Sequence, residues 1–145
     1  MESKAPEKIG FKIEGIELLE YSLKAPEKIL PENLEYKFEI AIEHKISIEL
    51  KKIFVICSIG IHCESENTQF AHAKISCIYD IPEVDKFLDT KNNKIELPEI
   101  MGVTLNSISI STSRGVMFML LRGTFLHNVI LPIVDPKPFM SNENK

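Results

Sequence analysis

The apolar and polar positions of the chain fall into two regimes. From Phe11 to Leu23 apolar residues recur at Phe11, Ile13, Ile16, Leu18, Leu19, Tyr21 and Leu23, an alternation whose phase slips near Gly15 and again near Leu19. Such a slip predicts a strand carrying a bulge. From Tyr36 to Leu50 one parity holds Tyr36, Phe38, Ile40, Ile42, Ile46, Ile48 and Leu50, interrupted by His44, and the other holds Lys37, Glu39, Glu43, Lys45, Ser47 and Glu49. This predicts a long half-buried strand or a strand pair, whose charged row forms a solvated face and discourages edge aggregation. Between Ile53 and Cys63 both parities are apolar in the first half, with Phe54 and Ile56 opposing Ile53, Val55, Cys57, Ile59 and Ile61. After a polar hairpin over residues 65–69 a further strand runs from Phe70 to Ile81. Four consecutive strands read as an antiparallel meander or a simple Greek key. The second apolar face of Ile53 to Ile59 would stand in water on a sheet covered by a helix on one side only, so a second subunit is expected to cover it.

The second regime begins after a polar connection, residues 82–96. Pro98-Glu99 suits the first turn of a helix, since proline at the first helical position costs no hydrogen bond and glutamate complements the dipole. Ser107-Ile108-Ser109-Ile110-Ser111 alternates with β-branched residues and taken alone reads as a strand. Leu97, Met101, Leu105, Ile108, Thr112 and Gly115 to Met119 instead make a stripe at helical spacing, and the segment to Arg122 exceeds an ordinary strand. Helix is the favoured reading, with Gly123 as its cap and Pro132, Pro136 and Pro138 punctuating an extended tail.

Composition narrows the function. The 145 residues, 44% hydrophobic and 26% charged, suit one domain, with the sheet over about residues 9–82, a crossover at 83–97, the helix at about 98–122 and a tail at 123–145. A net charge of −4, with Arg114 and Arg122 the only arginines, argues against a nucleic-acid partner. Residues 1–10 lack an apolar signal core and no apolar run is long enough to span a bilayer, which places the chain in the cytoplasm without membrane insertion. Cys57, Cys63 and Cys77 are odd in number and lack CxxC spacing, so a disulfide framework is not expected.

Candidate chemistry is thin. His44, His62, His72 and His127 sit singly in different elements without metal-ligand spacing, and a site built on His62 and His72 is the weak exception. The serines at 107, 109, 111 and 113 lack a nucleophile elbow, and the six glycines form no phosphate-binding loop. No catalytic residue, cofactor or metal is therefore assigned, and the chain is read as a non-enzyme. What stands out is apolar material from Val116 to Leu121 and from Phe125 to Val134. A helix buries only part of its circumference on one sheet, so six successive apolar residues call for a second partner, and methionine suits an adaptable surface.

These residues carry a resemblance to the SecB family of protein-export chaperones. Phe11, Ile13, Ile16, Glu20, Ser22 and Ala25-Pro26 follow the family's first strand; Arg114, then Arg122-Gly123-Thr124-Phe125, then Pro132 resemble its helix arginine, its helix-ending RGTF and the following L-x-P segment. The similarity runs from Phe11 to about Phe139. It implies an α+β protomer, a four-stranded antiparallel sheet followed by a crossover loop, a long C-terminal helix and a short terminal turn, assembled as a homotetrameric dimer of dimers. It also resolves Ser107 to Ser113 as helix. The implied function is an ATP-independent holdase for unfolded polypeptides or preproteins, with clients lying in apolar grooves whose lining is carried over, as a region, to Ile95, Leu97, Met101, Met117, Met119, Phe125 and Ile133. Glu20 matches one acid of the family's docking surface for the SecA motor, whereas Lys24 stands where a second is expected and Ala71, His72, Ala73 and Lys74 supply none. The ending, residues 141–145, also differs from the family's SecA-binding tail. Two other roles stay open: a chaperone dedicated to the antitoxin of a toxin–antitoxin system, and a structural or regulatory oligomer that binds one folded partner.

Overall fold

The computed structural model describes residues 10–63, 68–89, 91–92 and 94–139. Four twelve-residue strands, β1 (Lys12–Leu23), β2 (Tyr36–Ser47), β3 (Lys52–Cys63) and β4 (Gln69–Asp80), precede a 22-residue helix, α1 (Glu99–Leu120). All pairings are antiparallel and the sheet order is β1-β4-β3-β2. Strands β2, β3 and β4 form a meander, and residues 24–35 carry the chain across the sheet end so that β1 lies beside β4. This is the Greek-key alternative. The polar hairpin expected over residues 65–69 falls mostly outside the described residues, as does the end of the tail at 140–145.

Register explains the patterns along the strands. Ile42, Cys57 and Ile75 are mutually paired, as are Ile46, Ile53 and Tyr79, so the apolar row of β2 shares a face with the odd-numbered residues of β3 and β4. That face carries the core, and α1 lies on it over β3 and β4. The phase slips of the first strand are real bulges: the β1–β4 register shifts between Ile13 and Gly15 and between Leu18 and Glu20. Because the helix sits over the two central strands, the same face of β1 is left half-bare, with Ile16 51% and Leu18 45% exposed.

The segment at Ser107 to Ser113 is helical, inside α1. Its local strand propensity is overridden because helical spacing places Leu105, Ser109, Ser113 and Met117 on one buried stripe. Pro98 caps the helix from just outside, one position earlier than the sequence pattern predicts. Gly123, at φ +77°, turns the chain sharply after the last helical turn, a conformation glycine adopts without steric cost. Inside the crossover the sequence reading missed a short 3-10 turn, Val84–Phe87, and a minimal hairpin of β5 (Leu88–Asp89) and β6 (Lys94–Ile95). Two-residue strands are too short to leave an alternation signal.

Beneath α1 the core is lined by small polar groups. The Tyr79 hydroxyl lies 2.8 Å from Ser109 Oγ, and the Ser113 and Ser109 hydroxyls stand beside the thiols of Cys57 and Cys77. Burial pushes the Cys57 thiol up to about 11, with the nearby Ser113 hydroxyl opposing the shift, and raises Cys77 and Tyr79 in the same direction. All three cysteines are free and buried. Among the described residues no helix is long and apolar enough to cross a membrane.

Candidate functional site

A cleft with three aromatic residues in its lining lies where the crossing loop, the start of β2 and the segment after α1 meet. Pro31, Leu34, Tyr36, Phe38, Phe125, Val129 and Ile130 line an open cleft of 450 Å³, with Glu32 and Asn128 at its rim. Pro31 and Leu34 also belong to an adjoining concavity of 350 Å³ that runs under residues 24–31 to Cys63, Thr68 and Phe70. Together they form one continuous groove along the end of the sheet.

Each wall is set by its local sequence. Tyr36 and Phe38 sit on the core-facing parity of β2, but this edge strand lies beyond the cover of α1, so their rings are only half-buried. Burial, and more weakly the neighbouring Cys63, raises the Tyr36 hydroxyl above its ordinary value, so it stays a neutral donor. The opposite wall begins at the turn after α1. Thr124 Oγ1 donates to Leu121 O at 2.7 Å and accepts from Leu126 N at 3.1 Å, which folds the chain back and fixes Phe125. Phe125 meets Phe70 edge to face at 5.5 Å, and Phe70 meets Tyr36 at 6.4 Å, so an aromatic ladder joins the two walls through the groove floor.

The candidate lining residues separate on this surface. Phe125 lines the cleft. Ile133, 93% exposed, and Met119, 69% exposed, stand on open surface away from it, while Ile95, Leu97 and Met101 are partly buried against the core near the start of α1. Met117 is 2% exposed and packs into the core, so it offers no surface to a ligand. Helical spacing alone could not distinguish the buried side of the Val116 to Leu121 run from the open one. Tyr36 and Phe38 were missed as lining because a strand's apolar parity reads as core whether or not a second layer covers it, and Leu34, Val129 and Ile130 because irregular segments carry no periodic signal.

Among the other candidates, Glu20 is exposed on the outer sheet face, directly opposite Lys74 of β4. His62 and His72 lie on the same outer face, flanking Gly60. His62 Nε2 is 3.3 Å from a Glu39 carboxylate oxygen, and among the described residues no group of three or more His, Cys, Asp or Glu could hold a metal ion. The motif residues of the tail are structural: Arg114 donates to the carbonyls of Leu131 and Pro132, and Arg122 lies 5.1 Å over the Phe118 ring.

Comparison with known proteins bears on the fold. No family model matches the chain, and neither does any curated protein. Among solved structures it is similar to the SecB-like chaperone Rv1957 of Mycobacterium tuberculosis, solved in complex with a ChAD peptide from the HigA1 antitoxin. The match covers 86% of this chain and 89% of that one, with a TM-score of 0.62 and 15% sequence identity. The fold is that of a SecB-like chaperone: an antiparallel sheet of four strands with one long C-terminal helix.

Proposed function

We propose that this protein is an ATP-independent peptide-binding chaperone that receives extended apolar segments of non-native polypeptides in the groove between residues 31–38 and 125–130. The observation that carries this reading is the aromatic cleft itself, with the half-buried rings of Tyr36, Phe38 and Phe125 in its lining on a SecB-like fold. Among the described residues that line it Glu32 is the one charged side chain, so it lacks the convergent charged groups that a small polar substrate or a phosphate would need. An extended segment laid in it would exchange exposed apolar surface for contact with aromatic faces, a gain of roughly 25 cal/mol for each Å² removed from water. That gain opposes the segment's collapse or aggregation without nucleotide chemistry, and the client leaves when a partner competes for it. The half-bare face of β1, beside an exposed helix flank that includes Met119, is accounted for by assembly into a homotetramer in the cytoplasm.

A role dedicated to one antitoxin is the second reading, favoured by the antitoxin peptide bound to the structural neighbour. Delivery to SecA has less to stand on, since Lys74 faces Glu20 across the strand pair and offsets the one matching acid.

Light scattering on a size-exclusion column, with the protein alone and then with reduced, carboxymethylated α-lactalbumin as a permanently unfolded probe, tests the proposal. A tetramer that carries the probe into its own peak supports a general holdase. A tetramer that ignores the probe but retains an antitoxin encoded beside it supports the dedicated role, and a monomer that binds neither removes both.

A further inference from the structure

One wall of the groove is suspended between two anchors, and the polar part of the second anchor is a single side chain. Upstream, the segment is held by the turn after α1: His127 N donates to Thr124 O at 3.1 Å and Val129 N to Leu126 O at 2.9 Å. Downstream, Arg114 Nε donates to Leu131 O at 2.9 Å and an Arg114 terminal nitrogen to Pro132 O at 3.0 Å. Among the described residues these are the only hydrogen bonds that residues 130–134 make. Leu131 is buried in the core and Val134 packs partly against it, while Ile130, Pro132 and Ile133 are exposed. Asn128, Val129 and Ile130, which form the tail side of the cleft, hang between the two fixings.

The chemistry of the grip suits arginine. Two successive carbonyls along an extended, proline-bearing segment present oxygens that a planar guanidinium meets with two nitrogens at once, whereas an ammonium is a point charge without that fork. Pro132 has no N–H, so this stretch cannot be held through backbone donors at that position. The grip also runs from the rigid middle of α1, so the wall is referred to the same helix that sits on the sheet.

We infer that Arg114 is a positioning residue for ligand capture: its fork fixes the tail so that Val129 and Ile130 stand opposite Tyr36 and Phe38 at the distance an extended apolar segment requires. This rests on the reading of the cleft as the ligand site and adds to it what sets the width of the groove. Pre-placing a wall that would otherwise have to be ordered on binding lowers the entropic cost of capture.

The test compares the full-length wild type with Arg114→Met, which keeps the aliphatic stem but removes every donor, and with Arg114→Lys, which keeps the charge but not the fork. Two readings are taken: affinity for reduced, carboxymethylated α-lactalbumin, and the order of the methyl groups of Ile130, Leu131, Ile133 and Val134 by NMR without the probe. Arg114→Met should leave helix content, melting temperature and subunit number near wild type, disorder those methyls and weaken the probe about tenfold, since part of the two lost charge-assisted hydrogen bonds is felt in binding. Arg114→Lys should fall between the two on both readings. Wild-type methyl order, or disordered methyls with wild-type affinity, in Arg114→Met would overturn the inference. Should Arg114→Met fail to fold, wild-type values for both readings in Arg114→Lys overturn it instead. A wild type that does not bind the probe removes the cleft as a ligand site and this inference with it, whereas binding by the wild type leaves any failure to Arg114 alone.

Discussion

His44 Nε2 lies 2.6 Å from Asn106 Oδ1, joining the middle of β2 to a fully buried position on α1. The amide oxygen can only accept, so the Nε2 nitrogen carries a proton and His44 donates. The bond explains why a histidine interrupts the apolar parity of β2. Replacing Asn106 with Leu should cost about 2 kcal/mol, because the part-buried His44 donor loses this bond to a fully buried acceptor. The pair His44→Leu with Asn106→Leu should recover much of that loss. Urea unfolding of both single variants and the double variant gives the coupling, and strictly additive losses would deny the bond an energetic role.

Met117 and Phe125, both candidate lining residues, should behave differently when replaced by glutamate. Met117→Glu places a carboxylate in the core and should cost several kcal/mol, seen as loss of helix signal or precipitation. Phe125→Glu places it at the edge of the open cleft, where water reaches, and should leave the fold intact while weakening binding of an unfolded probe. Circular dichroism and probe titration separate the cases, and equal behaviour of the two variants would contradict the surface described above.

Alkaline pH should destabilise the protein through its buried thiols. Cys57 keeps its proton to about 11 in the folded chain, against 9.0 as the ordinary value. Below about pH 9 both states are protonated and the stabilising contribution is fully present; as pH rises toward 11 the unfolded chain alone releases the proton, and stability falls. Cys77 and Tyr79, shifted in the same direction, extend the loss. The unfolding free energy from urea titration should drop between pH 8 and pH 10.5 by an amount on the order of 2 kcal/mol, and Cys57→Ala should show a shallower drop from a lower starting point. A flat wild-type profile would show that the thiol is not held protonated.

Two backbone positions in the left-handed region should respond oppositely. Lys51, at φ 55°, pays for its conformation in the turn between β2 and β3, so Lys51→Gly should raise stability by about 0.5–1 kcal/mol. Gly123→Ala should lower it by about 1 kcal/mol, since a Cβ is strained at φ +77° even though nothing crowds the site. Thermal melts of the two variants check both signs.

Much of this was legible in the residues, for identifiable reasons. The two bulges of β1 showed as phase slips at Gly15 and Leu19 because strand parity has period two and an inserted residue inverts it. The 107–113 segment was ambiguous because serine and isoleucine at alternate positions satisfy strand spacing locally, and only the longer stripe through Leu105 and Met117 tells otherwise. The β5–β6 hairpin was hidden by its shortness. The groove was the least legible part, since Tyr36 and Phe38 have the parity of core residues and only the placement of α1 over β3 and β4 leaves them open. Arg114 and Pro132 were noticed as motif residues, but no spacing rule indicates that the side chain of one reaches the carbonyl of the other.

The polar groups beneath α1 also index the helix. Sliding α1 along the sheet by one turn, about 5.4 Å, would bring Gly102 or Ile110 opposite His44 in place of Asn106, and neither side chain can accept its proton. Ser109 would leave the Tyr79 hydroxyl in the same movement. The helix is therefore keyed to a single seat, as a toothed rack is to its pinion. The segment beyond Gly123 is tied to the same helix through Arg114 and so shares that seat, whereas among the described residues no hydrogen bond joins the crossing loop at residues 24–35 to it.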